Sequence, residues 1–109
     1  MSVDGPLGSF EEQVLLAVIR SREPYGMAVR REIEAATGRG VAIGAVYATL
    51  DRLEAKGLAE SSRAGDGERS RRLFQVTPPG ARALAETRAM RERLWQGIDL
   101  RGMLAEGGA

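Results

Sequence analysis

The sequence predicts a mostly α-helical domain that carries one small β-hairpin. Three observations point there. Apolar residues at helical spacing, punctuated by proline or glycine, recur three times before residue 57; the pattern then changes to two short stretches around a turn-rich loop; and a proline-initiated helical stretch follows. The 109 residues make one domain on the usual scale of ~150 residues per domain. With 43% hydrophobic and 28% charged residues, the composition is that of an ordinary globular chain.

The first helix is expected over residues 9–22. Ser9 suits an N-cap, Glu12 stands three residues on as in a capping box, and no glycine or proline intervenes. Val14-Leu15-Leu16-Ala17-Val18-Ile19 is apolar throughout, and at about 100° per residue this run covers the whole helix circumference. One face serves the domain's own core. The rest needs another cover, either the remainder of a small domain or a partner chain. Pro24 breaks this helix, and a second is expected over residues 27–37, with Val29, Ile33 and Ala36 inward and Gly38 as its stop. In the connection that follows, Val41 suits a single β-bridge. A third helix over residues 43–56 sets Val46, Leu50 and Leu53 at i, i+4 and i+7 and stops at Gly57.

Residues 58–63 and 71–77 are strand candidates, the second with Phe74 and Val76 inward, and the turn formers between them make a hairpin. Thr77-Pro78-Pro79-Gly80 opens a last helix to about Gly97, carrying Ala81, Leu84, Met90, Leu94 and Trp95, with Ile98 just beyond. Residues 1–6 are expected as a flexible leader and 99–109 as a flexible tail.

Composition removes much chemistry. Cysteine and histidine are absent, which excludes thiol nucleophiles, disulfides, imidazole bases and nitrogen- or sulfur-ligated zinc. Glu11, Glu12, Glu32 and Glu34 come without a base, a metal cluster or a phosphate loop, so neither an enzyme nor a cofactor is expected. Sixteen basic residues nearly balance fifteen acidic ones, and net charge neither demands nor forbids a polyanionic partner. Lys56 is the only lysine, and the other fifteen basic residues are arginine. That side chain suits bidentate phosphate contact, although base composition of the gene produces the same bias. No apolar run approaches the ~20 residues of a spanning helix. No basic segment followed by an apolar core opens the chain, so no membrane partner and a cytoplasmic location are expected.

Two helices joined by a short glycine-bearing turn, preceded by one helix and followed by a hairpin, describe a winged helix-turn-helix over residues 7–77, with a C-terminal helix over 78–98. The residues themselves resemble a family. Leu7-Gly8-Ser9-Phe10-Glu11, Tyr25-Gly26-Met27, the stretch Gly44-Ala45-Val46-Tyr47-Ala48-Thr49-Leu50-Asp51-Arg52-Leu53-Glu54-Ala55-Lys56-Gly57-Leu58, and Arg71-Arg72-Leu73-Phe74-Gln75-Val76-Thr77 with Gly80 are similar to PadR transcriptional regulators of the compact branch. The likeness spans residues 7–98.

That resemblance implies a homodimeric repressor that binds an inverted-repeat operator in double-stranded DNA and is released by a small-molecule or other signal. Carried over by position, the DNA-binding residues are Gly44, Ala45, Tyr47, Ala48 and Thr49 on the third helix and Arg69, Arg71 and Arg72 on the wing. The dimer would join the last helix (Leu84, Met90, Leu94, Trp95, Ile98) to the partner's first (Val14, Leu15, Val18). Ala42 and Ala45 stand where the family commonly has hydroxyl residues, and Ala48 where proline is frequent. Thymine methyls can still pack against Ala45 or Ala48.

Plainer readings stand beside these. Tyr47 lies about 100° from Val46 on the helix, off the stripe of Val46, Leu50 and Leu53, which favours contact over core. Arg63, Arg69, Arg71 and Arg72 outnumber Asp66 and Glu68 in the hairpin, which suits either a solvated loop or a phosphate-facing wing. Arg52 and Glu54 are assigned to scaffold pairs. Trp95 suits an interface anchor, or an effector-binding residue stacking on a small aromatic ligand. The alternative function is a winged-helix protein–protein interaction module without sequence-specific DNA binding, favoured by the near-neutral third helix.

Overall fold

A computed structural model describes residues 5–65, 67 and 70–107. Its elements run α1 (Ser9–Arg20), α2 (Gly26–Thr37), α3 (Ile43–Ala55), β1 (Ala59–Ala64), β2 (Arg71–Val76), α4 (Pro78–Trp95) and α5 (Arg101–Gly107). This is the mostly helical, single-hairpin architecture that the sequence predicts.

The apolar stripes explain the packing. Val14, Leu15 and Val18 of α1, Val29 and Ile33 of α2, and Val46, Leu50 and Leu53 of α3 meet in one core with Phe74 of β2 and Ala83 of α4. β1 and β2 pair antiparallel, with Ala59 opposite Val76 and Ala64 opposite Arg71. The hairpin is tied to the helices through its backbone, since the Phe74 amide donates to the Pro24 carbonyl at 2.9 Å.

The first cap lies one residue earlier than the sequence suggested. Gly8, not Ser9, is the N-cap of α1, and Glu11, not Glu12, reaches back to accept the Gly8 amide at 3.0 Å. Burial of the Glu11 carboxylate works to raise its pKa, yet that amide and the Lys56 ammonium at 3.1 Å hold it below the ordinary value. α1 ends at Arg20, two residues short of the expected end, where Ser21 turns extended ahead of Pro24.

Val41 makes no β-bridge. Its amide donates instead to the Glu34 carboxylate at 2.8 Å, a bond that closes the α2–α3 connection and leads the lowering of the Glu34 pKa. Ala36 faces solvent rather than the core, because Val29 and Ile33 already fill the contact of α2 with α1 and α3. The strands start or stop within a residue of expectation.

α4 is docked at its start by a close approach. A Cβ at Gly80 would fall 2.0 Å from the Leu58 carbonyl oxygen, so only glycine lets the helix sit against the end of the α3–β1 connection. Thr77 caps α4 by accepting the Gly80 amide at 3.1 Å while its hydroxyl donates to the Gly57 carbonyl at 2.6 Å. Further along, the buried Thr87 hydroxyl accepts the Leu7 amide at 2.9 Å and donates to the Ala83 carbonyl at 2.8 Å, pinning the start of the chain to α4.

Beyond Trp95 the chain is not all tail. Gly97 adopts a left-handed φ of 78°, Asp99 accepts the Arg101 amide at 3.0 Å, and α5 follows. Small residues in 99–109 suggest a flexible tail, but Leu100, Met103 and Leu104 recur at helical spacing. The remaining tail residues, 108 and 109, and residues 1–4 of the expected leader lie outside the described residues.

Candidate nucleic-acid interface

α3 is oriented by burial of Val46, Leu50 and Leu53, which leaves Gly44, Ala45, Tyr47 and Ala48 on its outer side. Its N-cap, Ala42, has no side-chain oxygen to hold the first-turn amides. Thr49 does not share that outer surface. It is only 2% exposed, and its hydroxyl accepts from the Arg52 guanidinium at 3.1 Å. The core stripe is one position wider than Val46, Leu50 and Leu53 alone indicate, and Thr49 fills the gap between it and Arg52.

Tyr47 lies across the beginning of α2. A Cβ on Gly26 would be 2.3 Å from Tyr47 Cζ, so the absence of a side chain at Gly26 makes room for the phenol ring. The Tyr25-Gly26 pair that opens α2 thus builds part of the surface presented by α3.

The two wing arginines have different surroundings. Arg72 bonds Asp51 at 2.8 Å and Glu54 at 2.5 Å, donates through Nε to the Ser61 hydroxyl at 3.1 Å, and lies 4.7 Å from the Phe74 ring centroid. Its charge is matched within the fold by Asp51 and Glu54. The Arg72 and Ser61 hydrogen bonds hold the Glu54 pKa below its ordinary value; burial works to lower the Arg72 pKa, but its two carboxylate partners leave it raised. Arg71 points to the other side of the strand, where its guanidinium lies 4.3 Å from the Tyr25 ring centroid. Arg69 lies outside the described residues.

Between the wing and the two helices lies a cleft of about 320 Å³ lined by Tyr25, Tyr47, Arg63, Ser70, Arg71 and Arg72. Among the described residues no carboxylate lines it. Tyr25 and Arg63 were not singled out as site residues from sequence. The signals were present in the Tyr25-Gly26 pair and in the hairpin's arginine excess, but only the packing of the wing beside the start of α2 brings them together.

The residues expected at a dimer interface divide. Val14, Leu15 and Val18 are buried in the chain's own core and offer nothing to a partner; Leu16 and Ile19, at 43% and 59% exposed, form the outer face of α1 instead. A periodic reading could not choose the face of a helix that is apolar all round. On α4 Leu84 and Met90 are half-buried. Leu94, Trp95 and Ile98 are exposed, Trp95 to 58%. Leu16 and Leu84 also line a groove of about 650 Å³ between α1 and α4, with Glu12, Arg88 and Arg91 at its polar side.

Among the described residues there is no grouping of side chains suited to hold a metal ion, and no helix is long and apolar enough to cross a membrane.

Residues 15–86 match the transcriptional regulator PadR-like family. The chain belongs to that family. PadR-like proteins are non-enzymatic transcriptional regulators that bind DNA, in line with the absence of catalytic groupings expected from composition. The transcriptional regulator Rv3488 of Mycobacterium tuberculosis is 44% identical over 57 residues, a match covering 52% of this chain and 53% of that one. The chain therefore matches about half the length of that relative. A PadR family transcriptional regulator from Eggerthella lenta superposes with a TM-score of 0.69 at 28% identity, over 91% of this chain and 83% of its own. RosR of H. salinarum gives a TM-score of 0.68 at 27% identity, over 93% and 88% of the two chains. Winged-helix likeness thus extends across nearly the whole PadR-like chain.

Proposed function

We propose that this PadR-like protein is a cytoplasmic homodimeric repressor, that it binds an inverted-repeat operator in double-stranded DNA, and that a small-molecule or other signal releases it. The observation that carries the reading is the adjacency of the exposed Gly44, Ala45, Tyr47 and Ala48 surface to a cleft carrying Arg63 and Arg71. A helix entering the major groove reads base edges, while cations beside it meet the phosphates that position the protein. Ala45 and Ala48 offer methyl groups suited to thymine methyls. In this reading Arg71 is the wing contact and Arg72 keeps the wing in place.

Dimerisation is supported by apolar residues that one chain leaves uncovered, among them Leu16 and Ile19 on α1, Leu94 and Trp95 at the far end of α4, and Ile98 just beyond it. These are large side chains on two elements, and pairing with the same surface of a second copy would cover them symmetrically. Trp95 sits in that surface, where a planar aromatic effector could stack on its ring and shift the spacing of the two α3 helices.

The deciding experiment is retention of genomic DNA fragments over a salt series, followed by sequencing of the retained fragments. DNA binding predicts enrichment of inverted repeats and a linear fall of log affinity with log salt concentration. Failure to retain DNA even at low salt would instead favour a protein-docking winged helix, for which the alanine-rich outer side of α3 would be the contact surface.

A further inference from the structure

We propose that the cleft between the wing and the start of α2 seats one backbone phosphate of the DNA duplex, with Arg71 supplying the charge and Tyr25 holding Arg71 in position. The inference rests on the DNA-binding reading above and adds to it a residue of α2 and a specific division of labour between neighbouring arginines.

Arg71 and Arg72 adjoin in sequence but alternate across the strand. Arg72 turns inward to Asp51, Glu54 and Ser61. Arg71 turns to the cleft and lies over the Tyr25 ring at 4.3 Å. A guanidinium stacked by its face keeps the N–H groups of its edge available, and those groups match the oxygens of a phosphate. The stack also holds a long side chain in one place before DNA arrives, which lowers the entropy lost on contact. Tyr25 is itself steadied, since its hydroxyl accepts from Arg31 at 3.4 Å. Arg63, Ser70, the Tyr47 phenol and the carboxylate-paired Arg72 complete the lining. Among the described residues, cations and hydrogen-bond donors therefore line a cleft at the small end of ligand-sized sites.

A free phosphate shares this chemistry, so the test must separate the two sources. A selected operator would be made as a series in which each phosphate in turn is replaced by a neutral methylphosphonate. Wild type, Arg71→Ala, Tyr25→Leu and Tyr25→Phe would be titrated against the series, with thermal melting to confirm folding. One phosphate per half-site should weaken wild-type binding about tenfold when neutralised, and the same replacement should have little effect on Arg71→Ala. Loss of that contact should lower the salt slope by about 0.9 per protomer. Tyr25→Leu should lose most of the coupling to that same phosphate, whereas Tyr25→Phe, which keeps the ring, should retain it. Inorganic phosphate at matched ionic strength should compete no better than chloride.

Wild-type DNA binding in which Arg71→Ala and Tyr25→Leu keep the full methylphosphonate profile would overturn this inference and leave the DNA-binding reading intact. Selective competition by inorganic phosphate that Arg71→Ala abolishes, without any altered methylphosphonate position, would make the cleft a free-anion site and also overturn it. Absence of DNA binding by wild type would remove both readings.

Discussion

Arg72 and Glu54 lock the wing to α3 through a 2.5 Å contact between guanidinium Nη2 and carboxylate Oε1, with Asp51 one helical turn earlier closing on the same arginine at 2.8 Å. The wing is therefore held at a set angle to the helix expected to enter the major groove. Removing Arg72 should act on the geometry of the interface rather than on its charge contact with DNA. Arg72→Ala is expected to lower the melting temperature and weaken DNA binding while leaving the salt slope unchanged. A slope reduced by about 0.9 per protomer would instead identify Arg72 as a phosphate contact.

The same pair sets a pH dependence. The folded pKa of Glu54 lies below its ordinary value of 4.5, chiefly because Arg72 and then Ser61 bond its ionised form. A depressed carboxylate stabilises the fold above its unfolded pKa and loses that contribution as pH falls through the folded value. Acid unfolding followed by circular dichroism should show wild type losing stability across that low-pH window. Glu54→Gln should have a flatter acid limb, starting from lower stability at neutral pH.

Gly26→Ala should separate stability from recognition. The added methyl would collide with the Tyr47 ring, which is half-exposed and can swing outward. Folding stability should change by no more than about 1 kcal/mol. DNA affinity should fall about tenfold, equivalent to about 1.4 kcal/mol, because the phenol leaves its place beside the cleft. Anisotropy titration and thermal melting on the same preparation measure both.

Gly80→Ala meets backbone instead of a movable ring. With the Leu58 carbonyl oxygen 2.0 Å from the new Cβ, α4 must shift away from the α3–β1 connection. A loss of about 1–3 kcal/mol is expected from such overpacking. Denaturant unfolding should show a lower midpoint with an unchanged slope.

Thr87→Val keeps volume but leaves the Leu7 amide without its acceptor in a buried setting. The cost should be about 1–3 kcal/mol. Hydrogen exchange should accelerate at Leu7 before any change at Leu50 or Leu53.

Charge placed on the two sides of α1 should have opposite consequences. Leu16→Glu, on the exposed side, should give a folded monomer by sedimentation, whereas Val14→Asp, in the core, should unfold the chain. A Leu16→Glu protein that stays dimeric would exclude the outer face of α1 from the interface.

Element order was readable because each helix carries its own stop and each core position its own period: Gly38 and Gly57 end α2 and α3 with φ of 72° and 76°, and Val46, Leu50 and Leu53 are all fully buried. What escaped reading depends on contacts between distant residues. Thr49 is a short polar residue on a helix flank, and nothing local says that it is closed in beneath Arg52. Arg71 and Arg72 are chemically identical neighbours; only strand alternation and the carboxylates one turn apart on α3 separate their roles. In α1, six consecutive apolar residues carry no mark of which side meets the chain's own core. α5 was hidden by composition, since glycine and alanine flank the spacing of Leu100, Met103 and Leu104.

Two copies of α3 should engage DNA together, and hydroxyl-radical footprinting on a selected operator measures whether they do. Two protected patches are expected on one face of the duplex, with centres about 34 Å apart and related by the symmetry of an inverted repeat. A single asymmetric patch at saturating protein, or no protection at low salt, would contradict it.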